Sequence, residues 1–190
     1  MIIKSFEIGK INTSNNNFYL FYGENEGFKS ESIKKKFEVN FLNKIQRYDE
    51  KEVLENKESF FNNILSKSFF ENEKLIIISR ATDKITNVID ELIEKNIDDV
   101  TIILNANILD KKSKLRFLFE KNNKAVCIPF YADTAQTLSA IVASFFRVKK
   151  IPISQQTINL LVERARGDRK NLNNELDKIK SFSENKDKIN

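Results

Sequence analysis

The residues whose types and spacing come nearest to recognisable chemistry lie in Y-G-E-N-E-G-F-K-S-E, residues 22–31. Gly23, Lys29 and Ser30 are in register with the nucleotide-binding pattern G-x-x-x-x-G-K-[ST]. In that pattern, successive backbone amides surround the phosphates and the lysine neutralises them. Phe28 stands where the pattern has its second glycine, so a bulky ring occupies the point at which the backbone must approach phosphate most closely. Residues 23–30, called loop 23–30 below, therefore resemble an eroded phosphate-binding loop.

Two further features argue against catalysis at this loop. Glu24 and Glu26 place negative charge beside any polyphosphate, at a cost of about 1 kcal/mol for each contact at surface dielectric. Hydrolysis of ATP also needs an acidic pair after a later strand, yet L-I-I-I-S-R and T-I-I-L-N-A-N end without one, and Asn105 and Asn107 stand at the second position. We expect no catalytic site and no cofactor, and we interpret the loop as a strand-to-helix turn with a solvated lysine. The alternative is residual nucleotide binding through Lys29 and Ser30.

Composition excludes further chemistry. The 190 residues include no histidine and one cysteine, so nucleophile–histidine pairs and histidine metal ligands are impossible, and we expect no metal site. Cys127 lies in the apolar run A-V-C-I-P and is interpreted as a buried structural thiol. The net charge of +5 permits contact with nucleic acid or an acidic protein without demanding either. No segment has transmembrane length or a signal-peptide core, so we expect a cytoplasmic protein with no membrane partner.

Apolar runs alternate with amphipathic segments through the first two thirds of the chain. Strands are predicted at 16–23, 44–48, 74–79, 100–105 and 124–130, and helices at 25–38, 57–66, 83–96 and 112–122. Several of these strands are apolar throughout, which is typical of strands covered on both faces. The pattern predicts an α/β domain with a parallel sheet flanked by helices.

The pattern changes after Pro129, where three helices are predicted at 133–147, 154–165 and 168–182. Asp133, Ser154 and Asp168 are the expected N-caps, and Gly167 is expected to end the second helix. We therefore place an α/β domain at 1–131 and a three-helix lid domain at 132–190. This layout, with loop 23–30 directly after the first core strand, is that of AAA+ ATPase modules.

Five segments, in this order, resemble the delta subunits of bacterial DNA polymerase III clamp loaders. They are F-Y-L-F-Y-G-E-N-E-G (18–27), S-F-F-E-N-E-K-L-I-I-I (68–78), I-L-D-K-K-S-K-L-R-F-L-F-E (108–120), I-P-F-Y-A-D-T-A-Q-T-L-S-A-I-V (128–142) and R-A-R-G-D-R-K-N-L-N-N-E-L-D-K-I (164–179). The resemblance spans almost the whole chain. No single segment is decisive, but their order and spacing together are specific.

The resemblance implies a non-enzymatic role. Delta subunits share the AAA+ fold without using ATP, bind the ring-shaped sliding clamp (the beta subunit) and spring open one interface of the ring. They assemble with the delta-prime and tau/gamma subunits into a pentamer that loads the clamp onto primed DNA for the DNA-directed DNA polymerase, so contact with DNA is expected to be indirect. The resemblance also implies a third, helical collar domain in the family, which we expect to be absent from this sequence.

The resemblance also assigns the clamp-binding element to Phe69 and Phe70, just before the strand at 74–79. Two adjacent aromatic residues cannot both face one core on a regular helix or strand, so at least one ring is available as an anchor for an apolar pocket. The alternative is that both rings plug the edge of the sheet. We expect Lys67 and Lys74, which flank the pair, to be solvated.

A DNA-binding adaptor is a further alternative. Basic residues cluster at 34–36, 149–150 and 164–170. No aromatic residue is interleaved with these clusters, so they do not indicate a base-stacking site, and solvated helix faces explain them equally well.

Overall fold

The computed structural model describes residues 1–11, 16–41, 44–65, 73–95, 97 and 99–184. The chain divides into two compact units. The first consists of Met1–Glu24 and Lys29–Phe130, and the second of Asn25–Phe28 and Tyr131–Asn190. The second unit thus begins one residue before the predicted lid domain and also contains four residues of loop 23–30, which the sequence analysis placed in the first domain.

Within the described residues, the first unit contains one sheet of five strands in the order β2-β3-β4-β1-β5. Every neighbouring pair is parallel. The strands are β1 (Phe18–Tyr22), β2 (Ile45–Asp49), β3 (Lys74–Ala81), β4 (Val100–Ala106) and β5 (Ala125–Pro129). The predicted parallel sheet is confirmed.

Among the described residues, six α-helices lie between β1 and Phe130 along the chain. They are α1 (Glu26–Ser32), α2 (Val39–Phe41), α3 (Glu50–Glu55), α4 (Lys57–Leu65), α5 (Thr86–Glu94) and α6 (Lys114–Lys121). Short 3-10 helices cover Ser5–Lys10 and Asp83–Ile85. Leu20, Ile76 and Ile102 of the strands form one apolar cluster with Ile89 and Phe119 of the helices, which explains the apolar strand sequences.

Two local features differ from the sequence prediction. The predicted helix at 25–38 is α1 followed by a π-helix, Ile33–Glu38. This segment carries Phe37, whose ring packs edge-on against that of Tyr19, with 4.8 Å between centroids. Helix α3 was not predicted, although its capping box is visible in the sequence: Asp49 caps the helix, and Glu52 accepts the Asp49 amide.

The outer edge of β5 is covered by the first residues of the chain. The Cys127 amide donates to Met1 O (2.8 Å), and the Ile3 amide donates to Cys127 O (3.0 Å). These bonds extend the hydrogen-bonding pattern beyond β5 and occupy backbone groups that an edge strand would expose. The Cys127 side chain is fully buried, as predicted.

The second unit contains the helices α7 (Ala135–Lys149), α8 (Gln155–Ala165) and α9 (Arg169–Glu184). Its core consists of Leu138, Val142, Phe146, Ile158, Leu161, Ala165, Leu172 and Leu176. Among the helices of the described residues, none is long and apolar enough to cross a lipid bilayer.

The helix ends of this unit agree with the sequence prediction except at one point. Ser154 caps α8 through the Thr157 amide, and Asp168 accepts the Lys170 amide at the start of α9. The prediction that Asp133 caps α7 is wrong, because Thr134 accepts the Thr137 amide instead. Asp133 is thereby available for the contacts described below.

Candidate functional site

Gly23 lies at the carboxyl end of β1, where a parallel α/β sheet commonly binds ligands. Its amide donates to Asn107 O, just beyond β4 (3.1 Å), and its φ is +121°. A Cβ at this position would be 2.2 Å from Phe130 O. The close approach of the Phe130 carbonyl and the positive φ therefore both require glycine here. Packing of the first unit explains this residue without any phosphate.

Lys29, the second P-loop-like residue, is completely buried in the first unit. Its ammonium Nζ donates to Ala106 O at the end of β4, at 2.6 Å. The expectation of a solvated lysine is therefore wrong, because a carbonyl of the neighbouring strand binds the charged group inside the protein. Ser30 lies next to it along the chain and is exposed.

Asn25, at the start of α1, forms a hydrogen-bonded junction within the second unit. Its Oδ1 accepts the Phe28 amide at 3.0 Å, so the side chain caps the helix. Its Nδ2 donates to Tyr131 O (3.0 Å) and to Asp133 Oδ2 (2.8 Å). A backbone amide that would face an anion in a phosphate-binding loop is therefore engaged by the protein itself.

Arg169, the first residue of α9, completes this junction. Its Nε donates to Asp133 Oδ2 at 2.6 Å and its Nη2 to Asp133 Oδ1 at 2.5 Å. The two side chains are only 8% and 5% exposed. The guanidinium carbon also lies 3.7 Å from the centre of the Phe28 ring, a stacked cation–π contact. Phe28, which replaces the second glycine of the P-loop pattern, thus stacks against the Arg169 guanidinium.

Gly27 allows the start of α9 to approach residues 25–28 closely, because glycine has no side chain. A Cβ at Gly27 would lie 2.5 Å from the backbone nitrogen of Lys170. Residues 25–28 and the start of α9 therefore meet backbone to backbone. The sequence analysis did not identify this role, and neither the spacing of Gly27 nor that of Arg169 indicates it.

These contacts define what loop 23–30 can do chemically. Lys29 binds a strand carbonyl, Asn25 binds the Phe28 amide, and Arg169 is neutralised by Asp133. Three of the groups that could face a phosphate here, the Lys29 ammonium, the Phe28 amide and the Arg169 guanidinium, therefore have partners in the protein.

The predicted clamp-binding pair, Phe69 and Phe70, lies outside the described residues, as does Lys67. The flanking elements are α4, which ends at Leu65, and β3, which begins at Lys74. Lys74 was expected to be solvated, which is wrong: the residue is buried, and its Nζ donates to Asn63 O at 3.4 Å.

The basic clusters noted in the sequence are partly neutralised. Lys35 pairs with Glu31 at 2.5 Å, and Lys36 donates to Gly9 O at 3.1 Å. Arg169, within the cluster at 164–170, is buried against Asp133. Lys35, Lys36 and Arg169 thus have partners within the protein.

No protein-family model matches this sequence, and no curated protein matches it. Solved structures do match. The Bacillus subtilis DNA clamp loader delta protein superposes with a TM-score of 0.61 at 15% identity, over 95% of this chain and 58% of that one. The chain thus spans just over half the length of that protein.

Other solved structures share the fold. The Holliday junction branch migration motor RuvB of Thermotoga maritima gives a TM-score of 0.53 at 11% identity, over 86% of this chain and 54% of that one. Domain III of the replication initiation protein DnaA of the same organism gives 0.50 at 12% identity, over 98% of this chain and 84% of that one. At these identities the likeness is one of fold. The resemblance to clamp-loader delta subunits, stated from the sequence segments, is confirmed at that level.

Proposed function

We propose that this chain is the clamp-binding part of a clamp-loader delta subunit and that it works without nucleotide. The proposal rests on the contacts that Lys29 and Phe28 make in loop 23–30. In a fold shared with a clamp loader delta protein, the P-loop-like lysine is buried on Ala106 O, and Phe28 supports Arg169. A clamp-loader subunit with such a loop acts through its contacts with other proteins and does not hydrolyse ATP.

The proposed activity is to bind a sliding clamp and open one of its interfaces, and Phe69 and Phe70 are the proposed anchors. This assignment is supported by the sequence resemblance and by the pairing of two adjacent aromatic residues between α4 and β3. Burying one phenylalanine side chain stabilises a complex by roughly 1.5–3 kcal/mol. Two anchors therefore contribute on the order of 3–6 kcal/mol before the cost of ordering the segment is subtracted.

The proposed partners are the sliding clamp and, in a full-length chain, the other clamp-loader subunits, delta-prime and tau/gamma, with primed DNA engaged through the complex. The clamp contact comes first in this scheme, because it requires only residues of this chain. Opening of the ring then requires that this chain bind the open ring more tightly than the closed ring, so that binding shifts the clamp towards the open form.

The test is a titration of immobilised sliding clamp with this chain and with the double variant Phe69→Ser, Phe70→Ser. We expect the double variant to bind at least about 100-fold more weakly, which corresponds to roughly 3 kcal/mol. The matched control is Phe6→Ser. Phe6 is 74% exposed, so its loss tests whether any exposed phenylalanine has the same effect.

Thermal unfolding of the same variants separates the anchor role from the core-plug alternative. Exposed anchors leave the melting temperature nearly unchanged, whereas truncating a core phenylalanine costs about 3–5 kcal/mol in stability. If the double variant unfolds, or binds the clamp as the parent chain does, Phe69 and Phe70 are not the anchors.

A further inference from the structure

A lysine-lined pocket lies on the first unit, at the start and along one side of α6. Its volume is about 590 Å³, and its lining includes Lys111, Lys112, Lys114, Phe117 and Lys121. The lysine patch is defined here as its four lysines together with Phe117. No carboxylate lines the pocket. Its positive charge is therefore concentrated, in contrast to that of Lys35 and Arg169, each of which pairs with a carboxylate.

The four lysines are not used to hold the fold together by ion pairs. Among the described residues, none of them forms a salt bridge, whereas Arg116 on the same helix pairs with Glu120 at 2.7 Å. The carboxylate facing Lys114 is that of Asp83, which already accepts the Ser113 hydroxyl (2.6 Å) and the Leu115 amide (3.0 Å). Asp110 is a second carboxylate near the start of α6, where its Oδ1 accepts the Lys112 amide at 2.6 Å. Two carboxylates against four lysines leave a net positive charge, which a polyanion would offset.

Phe117 gives the lysine patch an aromatic surface. Its side chain is 54% exposed although it lies in the middle of α6, and the Lys121 ammonium lies 4.3 Å from the centre of its ring. An accessible ring beside ammonium groups is the combination that binds single strands, because bases stack on the ring while the cations follow the phosphates. The sequence analysis did not consider this aromatic residue together with the lysines around it.

We propose that the lysine patch binds single-stranded nucleic acid, with a base on Phe117 and the backbone phosphates on the lysines. Lys114 and Lys121 are seven residues apart, or about 10 Å along the helix axis at 1.5 Å per residue. This spacing allows successive phosphates of a strand each to approach one of the two lysines. A duplex would leave Phe117 without an unpaired base to stack on. The site includes neither of the proposed clamp anchors, and its function does not depend on them.

The experiment measures fluorescence anisotropy of a labelled oligothymidylate at several salt concentrations, using the whole chain. We expect Phe117→Ala to weaken binding roughly 5- to 150-fold, the range for the loss of one stacked base. The double variant Lys112→Gln, Lys121→Gln should reduce the slope of log K against log salt by about 1.4, or roughly 0.7 for each lost phosphate contact. Both variants change exposed side chains, and an unchanged melting temperature confirms that they fold.

Lys149→Gln, Lys150→Gln is the matched control, because it removes two charges from another basic cluster and should leave affinity nearly unchanged. Three results would overturn the proposal. They are equal weakening by the control, tight binding that Phe117→Ala leaves intact, and equal affinity for a duplex or for polyglutamate. Clamp affinity is measured on the same variants and should not change, so failure of this site and failure of the proposed clamp binding are distinguishable.

Discussion

Asp133 binds the guanidinium of Arg169 through both of its carboxylate oxygens while also accepting a hydrogen bond from the Asn25 side chain, all within the second unit. Both partners of the ion pair are almost wholly shielded from water. A carboxylate in this position joins the start of α1 to the start of α9. Residues 25–28 of loop 23–30 are therefore part of the packing of the second unit.

Removing the Asp133 charge should destabilise that unit strongly. Asp133→Asn leaves the Arg169 charge buried without its counterion, a change that typically costs about 3–5 kcal/mol. The measurement is urea denaturation followed by circular dichroism, where we expect a lower free energy of unfolding. Glu175→Gln is the control, since it removes one partner of the exposed Glu175–Lys178 pair in the same unit and should have a much smaller effect. Equal stability of Asp133→Asn and the parent chain would contradict the structural role.

Lys29 should contribute to stability and not to nucleotide affinity. Lys29→Met removes the ammonium that donates to Ala106 O, and a buried carbonyl that loses such a bond costs roughly 1–3 kcal/mol. Isothermal titration of the parent chain with Mg-ATP should give no binding heat. A micromolar dissociation constant that Lys29→Met abolishes would contradict this prediction and would favour the degenerate ATPase alternative.

Substitution of Gly23 and Gly27 gives a second test of whether loop 23–30 has a structural role. Gly23→Ala should destabilise the first unit, because the new Cβ would meet Phe130 O at 2.2 Å and the φ of +121° strains any side chain. Gly27→Ala should destabilise the second unit through its clash with Lys170 N. Both changes should lower the melting temperature.

Gly9→Ala is the control for these two variants, because a Cβ at Gly9 would meet nothing within 4 Å. It should unfold at nearly the same temperature as the parent chain. If Gly23→Ala unfolded at the same temperature as the parent chain, the close approach of Phe130 O would not explain why glycine stands at the end of β1.

The sequence predicted the fold where the physical signal is local. The apolar run F-Y-L-F-Y predicts β1 because a strand covered on both faces must be apolar throughout, and Ser154 predicts the start of α8 because its hydroxyl binds an amide three residues on. The same kind of local signal, Asp49 followed by Glu52, marks α3 and was overlooked.

The candidate site was less predictable, because its contacts join residues far apart in the chain. Asp133 is a good N-cap by type, yet its partner Arg169 lies 36 residues later, so Thr134 caps α7 in its place. Burial of Lys29 depends on the backbone carbonyl of Ala106, a group that every residue carries and that no sequence pattern distinguishes. Exposure of Phe117 likewise follows only from the packing of α6.

The last prediction concerns Cys127, whose thiol is buried in β5. Burial raises the pKa of this thiol from 9.0 to about 12. The native chain should therefore resist a thiol-specific reagent at a pH near the ordinary thiol pKa and should react only after unfolding in urea. Rapid labelling of the folded chain would contradict the buried position of β5.

The same pKa makes stability depend on pH in a defined direction. Since the folded-state pKa exceeds the unfolded one, the unfolded thiol ionises first, and the stabilising contribution of the protonated thiol is complete below about pH 9 and is lost as the pH rises towards about 12. Burial also raises the pKa of Tyr19 to about 12, which acts in the same direction. The free energy of unfolding should therefore decrease across this window. Cys127→Ala should decrease less steeply, because only the Tyr19 contribution of the two remains; an identical slope in both chains would show that the thiol does not titrate on unfolding.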